Sequence, residues 1–97
     1  MRVDFLGLEA FLSIADRGSF HRAAAHLNLS QTALSHRMKK LEDDLGIKLL
    51  ARSTRQVSLT PAGQDLLPKA RHIIEEISES FASLRAQGKA RQETLAI

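Results

Sequence analysis

The stretch SFHRAAAHLNLSQTALSHRMKKLE, residues 19–42, constrains the fold more than any other part of this chain. It holds two helix starts, Ser19 and Ser30, because a serine oxygen accepts from the free N–H groups of a new helix. Asn28-Leu29 breaks the first helix, and asparagine tolerates the left-handed backbone of a tight turn. Ala23, Ala24 and Ala25 keep that helix slim, so a second can cross it closely. The second helix sets Leu34, Met38, Leu41 and Leu45 on one buried face, at helical spacing. Its opposite face carries Thr32, His36 and Lys39, flanked by Gln31 and Ser35. Two short helices joined by a tight turn, the second polar and basic outside, make a helix-turn-helix. DNA is the first partner to consider.

The flanking segments complete a mainly α architecture. A first helix is expected over 4–16, with Phe5, Leu8, Phe11, Leu12 and Ala15 on one stripe and Gly18 after its end. The second spans 19–27 and the third 30–44, with Gly46 as a stop. Residues 47–60, IKLLARSTRQVSLT, alternate loosely and predict a small hairpin. Its strands lie near 48–51 and 57–59, around a polar tip at 52–55. A hairpin directly after the third helix is a wing, and Arg52 and Arg55 at its tip suit phosphate or minor-groove contact. The alternative is a plain surface loop.

Thr60-Pro61 then starts a long helix expected to reach about Gln87. Leu66, Ala70, Ile73, Ile77 and Leu84 share a stripe, widened by Leu67, Ile74 and Phe81, at nearly heptad spacing. Pro68 removes one intrahelical bond and is expected to kink the helix. At ~1.5 Å per residue such a helix measures about 40 Å, more than the small preceding unit covers. The same helix of a second subunit is the simplest cover, giving a homodimer interface of Leu66, Ala70, Ile73, Ile74, Ile77, Phe81 and Leu84. Gly88 is expected to break the helix. The chain thus divides into residues 1–60, 61–87 and 88–97.

Charge is unevenly placed. Residues 17–55 hold eight basic against three acidic side chains, whereas 56–97 balance at five each. A concentrated cationic patch suits a polyanion, although a solvated face is the plainer explanation. There is no cysteine, which fits a reducing cytoplasm and excludes disulfides and thiolate metal sites. No apolar run approaches the ~20 residues of a membrane span. His21, His26, His36 and His72 lack helical metal spacing, so no metal or cofactor is expected. Ser19 and Ser30 have no evident His and carboxylate partners, so no enzyme is expected.

The order AFLSIADRGSFHRAAAHLNLSQTALSHRMKKLEDDLGIKLLAR, then VSLTPAGQDLLPKA, resembles the LysR-type transcriptional regulators over about residues 3–97. The resemblance implies a winged helix-turn-helix followed by a linker helix that pairs with a second subunit. It also implies bacterial gene regulation, with a small-molecule effector sensed by a further domain, absent here, whose opening strand ETLAI would be. The family places the start of the third helix in the major groove and the wing on the flanking backbone. Carried over by position, Gln31, Thr32, Ser35 and His36 read bases. Ser30, Arg37, Lys39, Lys40, Arg52 and Arg55 hold the DNA backbone. Glutamine pairs bidentately with adenine, and the threonine methyl packs on thymine. His36 stands where many members carry arginine and lacks the guanidinium fork. The expected function is sequence-specific binding of an interrupted inverted repeat in double-stranded DNA. The rival is a winged-helix protein-interaction or dimerisation module.

Overall fold

A computed structural model describes residues 4–52 and 56–95, the side chains of 90–95 excepted. The order is α1 (Phe5–Arg17), α2 (Phe20–Leu27), α3 (Gln31–Leu45), β1 (Leu50–Arg52), β2 (Val57–Leu59) and α4 (Pro61–Leu95). Local chemistry sets most boundaries. The Asp4 carboxylate accepts from Gly7 N at 2.8 Å, Ser19 Oγ from Arg22 N at 3.2 Å and Ser30 Oγ from Ala33 N at 3.0 Å. Each cap thereby satisfies one orphan donor of its helix. Gly18, Asn28 and Gly46 end the same three helices in the left-handed conformation. Leu29 N donates to Ala24 O and Ile47 N to Glu42 O, which closes the turns after α2 and α3 in Schellman fashion.

The core lies where α1, α2, α3 and the base of the wing meet. Phe11, Ile14, Leu34, Met38 and Leu49 are its largest fully buried side chains. Ala23 and Ala24 are buried where α2 meets its neighbours, while Ala25 is exposed. Leu45 departs from expectation: it is 40 % exposed. The helix ends at that residue and Gly46 turns the chain, so Leu49 and Leu50 join the buried cluster instead.

β1 and β2 pair antiparallel, with Leu50 opposite Leu59, Ala51 opposite Ser58 and Arg52 opposite Val57. The first strand starts two residues later than expected because the preceding backbone is bonded elsewhere. Lys48 O accepts from Thr60 Oγ1 at 2.7 Å, and Leu49 O accepts from Thr60 N at 3.0 Å. Thr60 also accepts from Gly63 N at 3.1 Å, so one residue caps α4 and staples it to the wing. Gly63 completes this junction, since a Cβ there would run into the Leu49 carbonyl oxygen.

α4 continues through both Pro68 and Gly88 to Leu95, eight residues past the expected end. A glycine inside an exposed helix costs only about 1 kcal/mol, and the Lys, Ala, Arg and Gln that follow favour helix. Glu93, Thr94 and Leu95 are therefore helical rather than the start of a strand, while Ala96 and Ile97 lie outside the described residues. Ala70 is fully buried, and Leu66, Leu67 and Ile74 pack on the core. Arg71 clamps α4 to α1, with Nη2 and Nη1 donating to the Asp16 carboxylate at 2.6 and 3.2 Å. That bond, helped by the Arg71 and Arg17 charges, holds the Asp16 carboxyl below its ordinary pKa against an opposing desolvation. No helix among the described residues is long and apolar enough to cross a membrane.

Candidate nucleic-acid interface

α3 presents two chemically distinct faces. Leu34, Met38 and Leu41 are buried beneath it, while Gln31, Thr32, His36, Lys39 and Lys40 are exposed. Ser35 and Arg37 are half-buried at the margins. Gln31 and Thr32 fall in the first turn, directly after the Ser30 cap, where free N–H groups also point outward. All four base-reading candidates therefore lie on one side of the helix or at its edge. The cationic candidates divide. Lys39 pairs with Asp43 at 3.6 Å and Lys40 with Asp44 at 3.3 Å, both along the helix. These are solvent-exposed i,i+4 pairs of small worth, so they leave the ammonium groups available to a phosphate.

Arg52 differs from the expected wing-tip contact. It is the last residue of β1 and folds back over α2, its guanidinium 3.9 Å from the Phe20 ring centroid. Nη2 donates to Ser35 Oγ at 3.4 Å, so this cation borders the outer face of α3. The planar guanidinium stacks on the aromatic face. Arg55 lies outside the described residues.

Two contributors were not evident from sequence. Glu42, one of the three acidic side chains within 17–55, is only 9 % exposed. One of its carboxylate oxygens accepts from Leu49 N at 2.7 Å and Leu50 N at 3.1 Å. It thereby pins the start of the wing to α3, and Lys48 Nζ stands 3.8 Å from its other oxygen. A groove between α3 and the wing is lined by Ser35, Lys39, Glu42, Lys48 and Arg52, with Met38 and Leu50 at its apolar side. The second contributor is His21, whose Nδ1 lies 3.2 Å from Gln31 Nε2. No sequence signal marks either contact, because both join residues on different elements.

The supposed dimer stripe is split by the fold. Leu66, Ala70 and Ile74 serve this chain's own core, and Ala70 has no surface left to offer a partner. Ile73, Phe81 and Leu84 are 40, 57 and 60 % exposed, and Ile77 is half-buried between them.

A three-helix unit with a two-stranded wing and an exposed polar third helix is a winged helix-turn-helix domain. Residues 6–64 match the family model of bacterial regulatory helix-turn-helix proteins, lysR family. The chain belongs to that family. The uncharacterized HTH-type transcriptional regulator YbhD of Escherichia coli K12 is 42 % identical over 85 residues, 88 % of this chain and 27 % of YbhD. The uncharacterized HTH-type transcriptional regulator YxjO of Bacillus subtilis 168 is 39 % identical over 97 residues, 98 % of this chain and 33 % of YxjO. The chain thus spans about a third or less of these curated relatives, which are transcriptional regulators rather than enzymes. Among solved structures, the CbnR_DBD–DNA complex matches with a TM-score of 0.79 at 39 % identity, covering 91 % of this chain and 99 % of that one. The BenM_DBD/catB site 1 DNA complex matches at 0.81 and 29 % identity, covering 89 % and 94 %.

Proposed function

We propose that this chain binds double-stranded DNA sequence-specifically, as the reading head of a bacterial transcriptional regulator of the cytoplasm. The observation that carries this is the two-faced α3, with Gln31, Thr32 and His36 outside, Leu34 and Met38 inside, and Arg52 at the margin beside Ser35. Two neighbours of like fold are themselves complexes with DNA, which supports the reading. The first turns of α3 enter the major groove, where Gln31, Thr32, Ser35 and His36 meet base edges. Ser30, Arg37, Lys39, Lys40, Arg52 and Arg55 hold the flanking phosphates.

Ile73, Ile77, Phe81 and Leu84 follow one another at spacings of four, four and three, which continues one apolar seam beyond the core. A second α4 covers that seam, and the resulting homodimer reads an interrupted inverted repeat. Reading heads in successive major grooves stand about 34 Å apart. In the whole regulator, a small-molecule effector acts through a domain further along the chain.

Selection of bound duplexes from a random pool tests the proposal. The expected product is an inverted repeat, with log K falling by about 0.9 per phosphate contact against log salt. Gln31→Ala and Ser35→Ala each cost about 1–3 kcal/mol on that site and relax its selectivity. No preference among duplexes at low salt would refute the proposal. A salt-insensitive association with protein instead would favour an interaction module.

A further inference from the structure

The Gln31 amide meets a side chain of the neighbouring helix. Its Nε2 lies 3.2 Å from Nδ1 of His21, the second residue of α2. Adenine is recognised through an acceptor and a donor together: the amide oxygen takes the N6–H and an amide N–H reaches N7. An amide nitrogen carries two hydrogens, so one can go to a third group without disturbing that edge. An imidazole Nδ1 on the nitrogen side takes the spare hydrogen and keeps the oxygen turned away from the ring.

Only a neutral imidazole with an unprotonated Nδ1 accepts this bond. A protonated ring donates from both nitrogens, so the amide must then turn its oxygen toward the ring. The NH2 group faces outward in that orientation. A pair of donors matches guanine, whose O6 and N7 are both acceptors, better than adenine.

The surroundings leave this exchange to His21 and Gln31. Among the described residues His21 makes no ion pair. Arg22 follows it on the same helix, and Arg52 stacks on the adjacent Phe20. The carboxylates of the packed elements are occupied elsewhere. Asp16 bonds Arg71, Glu42 bonds the wing, and Asp43 and Asp44 pair with Lys39 and Lys40. Asp4 caps α1, and Glu9 lines a recess with His26 at the far end of α2.

We propose that His21 is a positioning residue for base readout, holding the Gln31 amide in the orientation that selects adenine over guanine. This rests on Gln31 being a base reader. It makes selectivity at one base pair dependent on a side chain of the neighbouring helix.

The test uses the purified chain and four duplexes that differ only at the base pair whose preference Gln31→Ala abolishes. His21→Ala is expected to lower the adenine-over-guanine ratio by about threefold to tenfold, the fold-change one neutral hydrogen bond carries. His21→Asn should restore it, because the asparagine oxygen supplies an acceptor near the place of Nδ1. An unchanged ratio in His21→Ala would overturn the proposal alone, as would equal weakening on all four duplexes. A Gln31→Ala chain that keeps its preference at every position would overturn the underlying role of Gln31, and this proposal with it.

Discussion

Replacing Glu42 by alanine removes the acceptor of two backbone donors at once. Leu49 is 2 % exposed and Leu50 is 9 % exposed, and both N–H groups go to the same Glu42 oxygen. An orphaned buried donor costs about 1–3 kcal/mol, which gives about 2–6 kcal/mol for the pair. The groove beside Glu42 opens to solvent at Lys48, whose side chain is 73 % exposed, so water rescues part of this. A loss of about 2–4 kcal/mol is expected, a large share of the ~5–15 kcal/mol that holds a small domain together. Glu42→Gln keeps an oxygen in place and gives up only the charge-assisted part, about 1 kcal/mol. Urea unfolding followed by circular dichroism reads both. At a slope of about 1–1.5 kcal/mol/M the alanine variant should move the midpoint by about 2 M. The wing is anchored by the same bonds, so affinity for all duplexes should drop in the alanine variant at temperatures where it remains folded. An alanine variant within ~0.5 kcal/mol of the unaltered chain would show that the carboxylate does not hold the wing.

Other outcomes follow from the same geometry. Gly63→Ala drives a Cβ into the Leu49 carbonyl, and thermal melts should show a loss of about 1–3 kcal/mol; an unperturbed melt would mean that α4 shifts freely on the wing. Phe81→Asp with Leu84→Asp should give a folded monomer in sedimentation, since both side chains lie outside the core; a persisting dimer would place the interface elsewhere. Asp16→Asn should destabilise slightly at neutral pH, because the clamp is exposed and screened. The bound carboxyl titrates below its ordinary value of 3.8, so the stabilisation is complete above that pH and fades as pH falls through the lower folded value. A gap between variant and parent that stays constant in acid would exclude the Arg71 clamp as its source.

The features readable from sequence were those with local chemistry. Ser19, Ser30 and Thr60 announce helix starts because the capping oxygen and the donor are three residues apart. Gly18, Asn28 and Gly46 announce ends because few residues accept a left-handed backbone. The outward face of α3 follows from helical spacing alone. Spacing failed where a neighbouring segment decides. Leu45 fits the apolar series but sits past the edge of the core, and the single stripe of α4 is part core and part exposed. Glu42, Arg52 and His21 carry no local mark, because the partner of each lies on another element. Gly88 looked like a stop, yet one exposed glycine is too weak to end a helix among strong formers.

Thr60 is bonded to the wing through Lys48 O and Leu49 O and to α4 through Gly63 N, with no intervening linker. The wing and the arm are accordingly joined directly at this one residue. In any assembly joined through α4, the crossing angle of the two arms dictates how far apart and how tilted the paired heads stand. In the proposed dimer, a twist of a few degrees at the far end of so long a rod would return as a change in the distance between the heads.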